Sequence, residues 1–286
     1  MIKKILIGIA TIIIVLFVGI LLAFKFYSPP LSEKYGNVDT KLFLGNGEQQ
    51  PLIVAFGGSQ GGNTWAEEYW SDIRSKFIDQ RYAVLAIGYF KSENTPEVLD
   101  RISLDAIHDT IMGISNHPKI NRDKIALLGS SRGAELVLNL ASRYEDFDAV
   151  VALVPSCVTF PSLTLTSNTS AWTFKDEEVD FVTMPLTALG PALRGETVKV
   201  IEIALANEDE FKDAIIPVEH INGSVLLLSA KDDATWPSKY MSDVILNKLT
   251  DHGFKYHFEH FSFDGGHHDT KKHFGEVFEF LGKYFK

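Results

Sequence analysis

Cysteine is almost missing from this chain: its 286 residues include one, Cys157. A lone thiol excludes any intrachain disulfide. Positive charge is also scarce, with 27 Lys and Arg against 37 Asp and Glu and a net charge of −10 at pH 7. Three of those lysines fall within residues 1–27, which hold no acid, so the remainder is more acidic still. Nothing strongly basic is available to follow a phosphate backbone, which excludes nucleic acid as a partner. Internal repeats are lacking. A metal centre is not expected either. The closest approach to a ligand cluster is the pair His267 and His268, but sequence neighbours point apart and no third ligand accompanies them. No cofactor is implied by any motif.

A long apolar run, by contrast, is present. Residues 5–24 read ILIGIATIIIVLFVGILLAF without a charge, flanked by Lys3 and Lys4 on one side and Lys25 on the other. A helix of that length, rising ~1.5 Å per residue, spans ~30 Å, the hydrocarbon thickness of a bilayer. The run is longer than the ~7–15 apolar residues of a cleaved signal peptide, and no small-x-small site follows it. It predicts a single-pass N-terminal transmembrane helix over 1–27, with the lipid bilayer as a partner through 5–24. The flanking lysines then orient residues 28–286 to the extracytoplasmic side. Residues 28–45 read as a tether.

From residue 46 onward the composition is that of an ordinary globular domain. Apolar β-rich runs alternate with helical patterns: PLIVAF (51–56), YAVLAIGYF (82–90), KIALLG (124–129), DAVVALVP (148–155), SVLLLSA (224–230) and YHFEHF (256–261). After the first run, TWAEEYWSDIRSKF predicts a helix with Thr64 and Glu67 as a capping box. Strands that are apolar throughout and separated by helices imply a mainly parallel, doubly wound α/β sheet covered on both faces. Ligands of such sheets lie at the carboxyl ends of the strands. Residues 46–286 therefore form one domain, and the Thr- and Ser-rich stretch 156–206 breaks its rhythm as an insertion or cap.

Two stretches, GGSQG (57–61) and GSSRG (129–133), spell Gly-x-Ser-x-Gly. A nucleophilic serine on that pattern needs a strand, a sharp turn and a helix that starts at once. Ser131 has this setting, because KIALL precedes it and RGAELVLNLASRY follows directly. Ser59 is followed by QGGN, where two glycines oppose a helix. The first stretch fits an oxyanion hole better, with an amide of Gly58 or Ser59 as one donor and that of Arg132 as the other.

An acid and a base should follow the serine in that order, each at a strand's carboxyl end. KDDATWP leaves SVLLLSA, and its spacing to Pro237 favours Asp233, with Asp232 as the alternate. Of the histidines beyond it, only His267 and His268 occupy the loop after the last strand run, in FDGGHHDT. His267 directly follows the glycine pair and is the expected base, with His268 as the alternate. Trp172 and Phe174 in the insertion are candidates to line an apolar substrate pocket.

With these residues placed, the chain resembles the C-terminal hydrolase domain of the acyl-CoA thioesterase and bile acid-CoA:amino acid N-acyltransferase family, within the α/β-hydrolase superfamily. The stretches that carry the resemblance are LIVAFGGSQGG, YAVLAIGYF, LLGSSRGAELVLNLAS, IPVEHINGSVLLLSAKDDATWPS and FDGGHH, spread over roughly residues 50–275. The resemblance implies a Ser or Cys nucleophile, an Asp, a His and an acyl-enzyme intermediate, acting on a small-molecule acyl ester or thioester. Ser131 stands at the nucleophile position. Acyl transfer to an amine or alcohol instead of water is the alternative reaction, and a catalytically inactive tethered binding protein is the alternative of another class. Full-length relatives carry an N-terminal β-sandwich domain, in place of which this chain has the apolar run and tether.

Overall fold

The computed structural model describes residues 2–285, with side chains throughout except for part of the first helix and for Glu208 and Glu210. Seven strands make the main sheet: β1 (Asp39–Phe43), β2 (Gln50–Phe56), β3 (Ala83–Gly88), β4 (Ile120–Ser130), β5 (Ala149–Leu153), β6 (Ser224–Ala230) and β7 (Phe258–Phe263). Their order across the sheet is β1-β3-β2-β4-β5-β6-β7. All neighbours run parallel except β1, which pairs antiparallel to β3 at the edge. Parallel strands must be covered on both sides, and alternate residues sort accordingly. Leu52, Val54 and Phe56 of β2 enter one core, and Ile53 and Ala55 enter the other.

The first core is closed by α3 (Leu104–Ser115), α4 (Arg132–Ala141) and α5 (Ser238–Asp251), through residues such as Ile107, Leu136 and Met241. The second is closed by α2 (Ser71–Asp79) and α6 (Phe274–Tyr284), through Ile73, Phe77, Val277 and Leu281. Chain order reverses direction across the sheet between β2 and β4, where Phe56 pairs with Gly129. The segments leaving these two strands, one Gly-rich and the other bearing Ser131, therefore emerge side by side. That switch point is where an open α/β sheet places its ligand crevice.

The expectation of a transmembrane anchor is corrected. The chain forms a helix, α1 (Ile2–Phe26), but among the described residues no helix is long and apolar enough to cross a membrane. A span needs about twenty apolar residues in unbroken succession. Part of the 5–24 stretch lies outside the described side chains. The bilayer partner and the membrane localisation rested on that anchor and are withdrawn with it.

Two local expectations also differ. Residues 39–43, read as part of a tether, form β1 and add a strand to the sheet by pairing Asp39 with Gly88 through Phe43 with Val84. Only Leu42 and Phe43 touch the cores, so the strand lacks the apolar run that marks the others. Residues 64–70 wind as two 3-10 turns, and the helix starts at Ser71. Thr64 caps nothing there: it lies buried beneath the Gly-rich turn, 2.4 Å from where a Cβ on Gly57 would fall.

Candidate active site

Ser131 sits between β4 and α4 with φ +57° and ψ −120°. This is sparsely populated backbone for a residue with a side chain, and it costs about 1–3 kcal/mol unless the surroundings enforce it. They do so at both peptide groups. The Ser131 amide donates to the Leu153 carbonyl on β5, and the Ser131 carbonyl accepts from the amides of Ala134 and Glu135. The two glycines of GSSRG are required by close approach. A Cβ on Gly129 would fall 2.0 Å from the Gly133 carbonyl oxygen, and one on Gly133 would fall 2.3 Å from that of Gly57. The pattern thus lets the strand end, the first helical turn and the neighbouring turn pack at backbone distance, leaving the serine at the crest.

The Ser131 hydroxyl donates to His267 Nε2 at 3.0 Å. On the opposite edge of the imidazole, Nδ1–H donates to both Asp233 oxygens, at 3.0 and 2.9 Å. These partners fix the tautomer with its proton on Nδ1. His267 comes from the loop after β7 and Asp233 from the loop after β6; the adjacent ends of those strands pair Ala230 with Phe263. Asp233 also accepts from the amides of Thr235 and Trp236. Burial pushes its carboxyl up, but hydrogen bonds from His267 and Ser238, the charge on His267 and the Trp236 amide outweigh that and hold it below the usual carboxylate range.

The alternates stand apart from this line. Asp232 is exposed and engaged through its amide with the Gly265 carbonyl. His268 is exposed, its ring centre 5.3 Å from that of His267. Ser59 is exposed and not among the partners of either histidine. The Gly-rich turn passes directly beside the nucleophile, since a Cβ on Gly58 would lie 3.1 Å from the Cβ of Ser131. Tyr89 secures the turn by donating its hydroxyl to the Gly57 carbonyl. Among the described residues the amides of Gly58 and Ser59 take no backbone partner.

The comparisons with known proteins point to one family. The family described as "BAAT / Acyl-CoA thioester hydrolase C terminal" matches residues 102–271, more than half of the chain. The chain belongs to this family. Mouse acyl-coenzyme A thioesterase 5 is 26% identical over 222 residues, covering 76% of this chain and 49% of that protein. Human acyl-coenzyme A thioesterase 6 is 28% identical over 221 residues, with 76% and 49% covered. The chain spans about half the length of the curated relatives it matches. Among solved structures, Pyrococcus horikoshii acylaminoacyl peptidase superposes with a TM-score of 0.59 at 17% identity, covering 91% of this chain and 41% of that one. That likeness establishes the α/β-hydrolase fold.

Within this member of the BAAT and acyl-CoA thioester hydrolase family, the pocket beside Ser131 is not built from the residues expected in the insertion. Trp172 is fully buried and donates Nε1–H to Glu135. Phe174 packs edge-on against Tyr144 and borders a separate hollow of about 310 Å³ with Arg143 and Ile215. The cavity at Ser131 measures about 550 Å³, and its lining includes an aromatic wall of Trp65, Tyr69 and Trp70 together with Thr235 and Lys271. Trp65 and Trp70 stack at 4.3 Å, and the Lys271 ammonium lies 4.3 Å from the Tyr69 ring centre. The signal for this wall was in TWAEEYW. Its apolar positions read as a helix facing the core, whereas a segment following the Gly-rich turn must start at the carboxyl end of the sheet, beside the site.

Proposed function

We propose that this chain is a serine hydrolase of acyl thioesters and related esters, working through an acyl-enzyme. The observation that carries the reading is the unbroken hydrogen-bonded line Ser131–His267–Asp233 at the carboxyl edge of the sheet. The names of the relatives, acyl-coenzyme A thioesterases, support a thioester as substrate.

In the first half-reaction His267 Nε2 takes the Ser131 proton as Oγ bonds to the substrate carbonyl carbon. Asp233 holds the imidazole in place and stabilises its positive charge without itself accepting the proton. The carbonyl oxygen, now negative, accepts from the amides of Arg132 and of Gly58 or Ser59. Loss of one such donor costs about 2.7–4 kcal/mol in a reference protease. Collapse breaks the carbon–sulfur bond, and the leaving sulfur takes the proton from Nε2. Water then attacks the acyl-serine, giving its proton to Nε2, and the acid departs as Ser131 is reprotonated. The aromatic wall of Trp65, Tyr69 and Trp70 gives the substrate an apolar surface.

The test is steady-state release of free thiol from a series of acyl-CoA thioesters. Ser131→Ala and His267→Ala should each lose turnover by more than about a thousandfold, in line with the ~10⁶ loss for equivalent groups in a reference protease. Ser59→Ala should keep turnover within about tenfold, since only its backbone amide is invoked. Undiminished turnover by Ser131→Ala would overturn the reading.

A further inference from the structure

Glu135 is fully buried one turn into α4, in a position the reaction above does not use. Its Oε2 accepts from Arg132 Nη1 at 2.7 Å. Its Oε1 accepts two further bonds, from Trp172 Nε1 at 2.7 Å and from the Phe160 amide at 3.1 Å. The Arg132 guanidinium, itself 5% exposed, also donates to the carbonyls of Phe160 and Pro161. Asn139, one turn further on, bridges the Glu135 carbonyl to the Thr159 hydroxyl. The first turn of α4 is thus tied on one side to segment 159–172.

That segment continues to the other half of the site. The Phe160 ring stacks on Trp236 at 5.5 Å, and Trp236 stands edge-on to His267 at 5.8 Å. A buried ion pair of this kind adds little stability over apolar packing of the same volume, because two charges must be stripped of water. Its expense is understandable if it fixes geometry. The residue it holds most directly is Arg132, whose amide follows the nucleophile.

We infer that Glu135 is a positioning residue that, through Arg132, Trp172 and Phe160, sets the Arg132 amide at the oxyanion and aligns the elbow with the His267 loop. The inference rests on the proposed function, and it assigns residues 159–172 the role of an internal strut under the site.

The probe is an alkyl fluorophosphonate. Ser131 Oγ forms a bond to phosphorus, fluoride leaves, and the serine proton passes to His267. The phosphoryl oxygen uses the same donors as an acyl oxyanion. Glu135→Gln keeps an oxygen for Trp172 and Phe160 but turns an N–H group toward Arg132. The maximal inactivation rate should fall by about tenfold or more, with the half-saturating probe concentration changed less than about twofold, while the thermal midpoint shows a folded protein. Trp172→Phe, which removes one donor and keeps a ring, should show the same split in smaller measure, and it decides the matter if Glu135→Gln does not fold. Wild-type inactivation rates in a folded variant, or a loss confined to probe affinity, would overturn the inference. Ser131→Ala is run beside them. Labelling that survives in Ser131→Ala defeats the proposed function itself, whereas labelling lost there but unaltered in Glu135→Gln defeats only the positioning role.

Discussion

The Trp236 indole meets the His267 imidazole edge-on, with ring centres 5.8 Å apart at 77°. Its Nε1–H donates to the Val154 carbonyl at 3.1 Å, its amide donates to Asp233, and one face stacks on Phe160. One residue therefore touches both supporting members of the proposed triad, His267 through its ring and Asp233 through its backbone amide. Trp236→Phe keeps a ring but gives up the Val154 bond. It should lower the fluorophosphonate inactivation rate by about three- to tenfold at a stability loss near 1–2 kcal/mol. Trp236→Ala should cost about 3–5 kcal/mol by urea denaturation, as expected for emptying a buried aromatic site.

Burial pushes the Glu135 carboxyl up to about 7, against the Arg132 charge and the Trp172 and Phe160 donors that pull it down. Its ordinary value is 4.5. Between these two pH values the folded chain holds more of this proton than the unfolded chain does. The stability the group contributes is therefore complete below about 4.5 and is lost as pH rises through about 7. Thermal midpoints measured from pH 4.5 to 8 should fall more steeply for the wild type than for Glu135→Gln. Parallel curves would contradict the shift.

The glycines divide by their surroundings. Gly133→Ala would set a methyl group 2.3 Å from the Gly57 carbonyl oxygen, backbone that cannot yield without moving the turn. No stably folded, labelled protein is expected from it. Gly113 lies exposed within α3 with nothing within 4 Å of an added Cβ. Gly113→Ala should raise stability by about 0.5–1 kcal/mol in chemical denaturation, with the labelling rate unchanged.

Cys157 is 2% exposed, and burial pushes its thiol up to about 12. The thiolate is the reactive form, so the native chain should resist iodoacetamide at pH 8 and react fully once unfolded in guanidinium. Fast native-state labelling would mean that segment 156–162 opens.

The elements most legible in the sequence were those whose signal is local. Strands β2, β3, β5 and β6, and β4 from Ile125 onward, are apolar runs, because a parallel sheet buries both of their faces. The turn at Ser131 could be read because strand, glycines and helix lie within a dozen residues. Asp233 and His267 followed from being at strand exits. What the sequence concealed is long-range. Trp172 reads as a pocket aromatic until its indole is found on Glu135, 37 residues earlier. Nor does anything near Glu135 signal burial, since an acid in the first helical turn is ordinary on electrostatic grounds. β1 has too weak a pattern to separate from a tether, because it is an edge strand with few core contacts. Residues 5–24 show the converse, since the apolar run raised an expectation of a membrane span that the described residues do not meet.

The central claim is that Ser131 is the nucleophile that the elbow and the His267–Asp233 pair activate. Its most direct test is peptide mapping of the wild-type chain after fluorophosphonate treatment. The account places a single adduct, at Ser131. An adduct at Ser59, or a folded chain that takes up no probe at all, would contradict it.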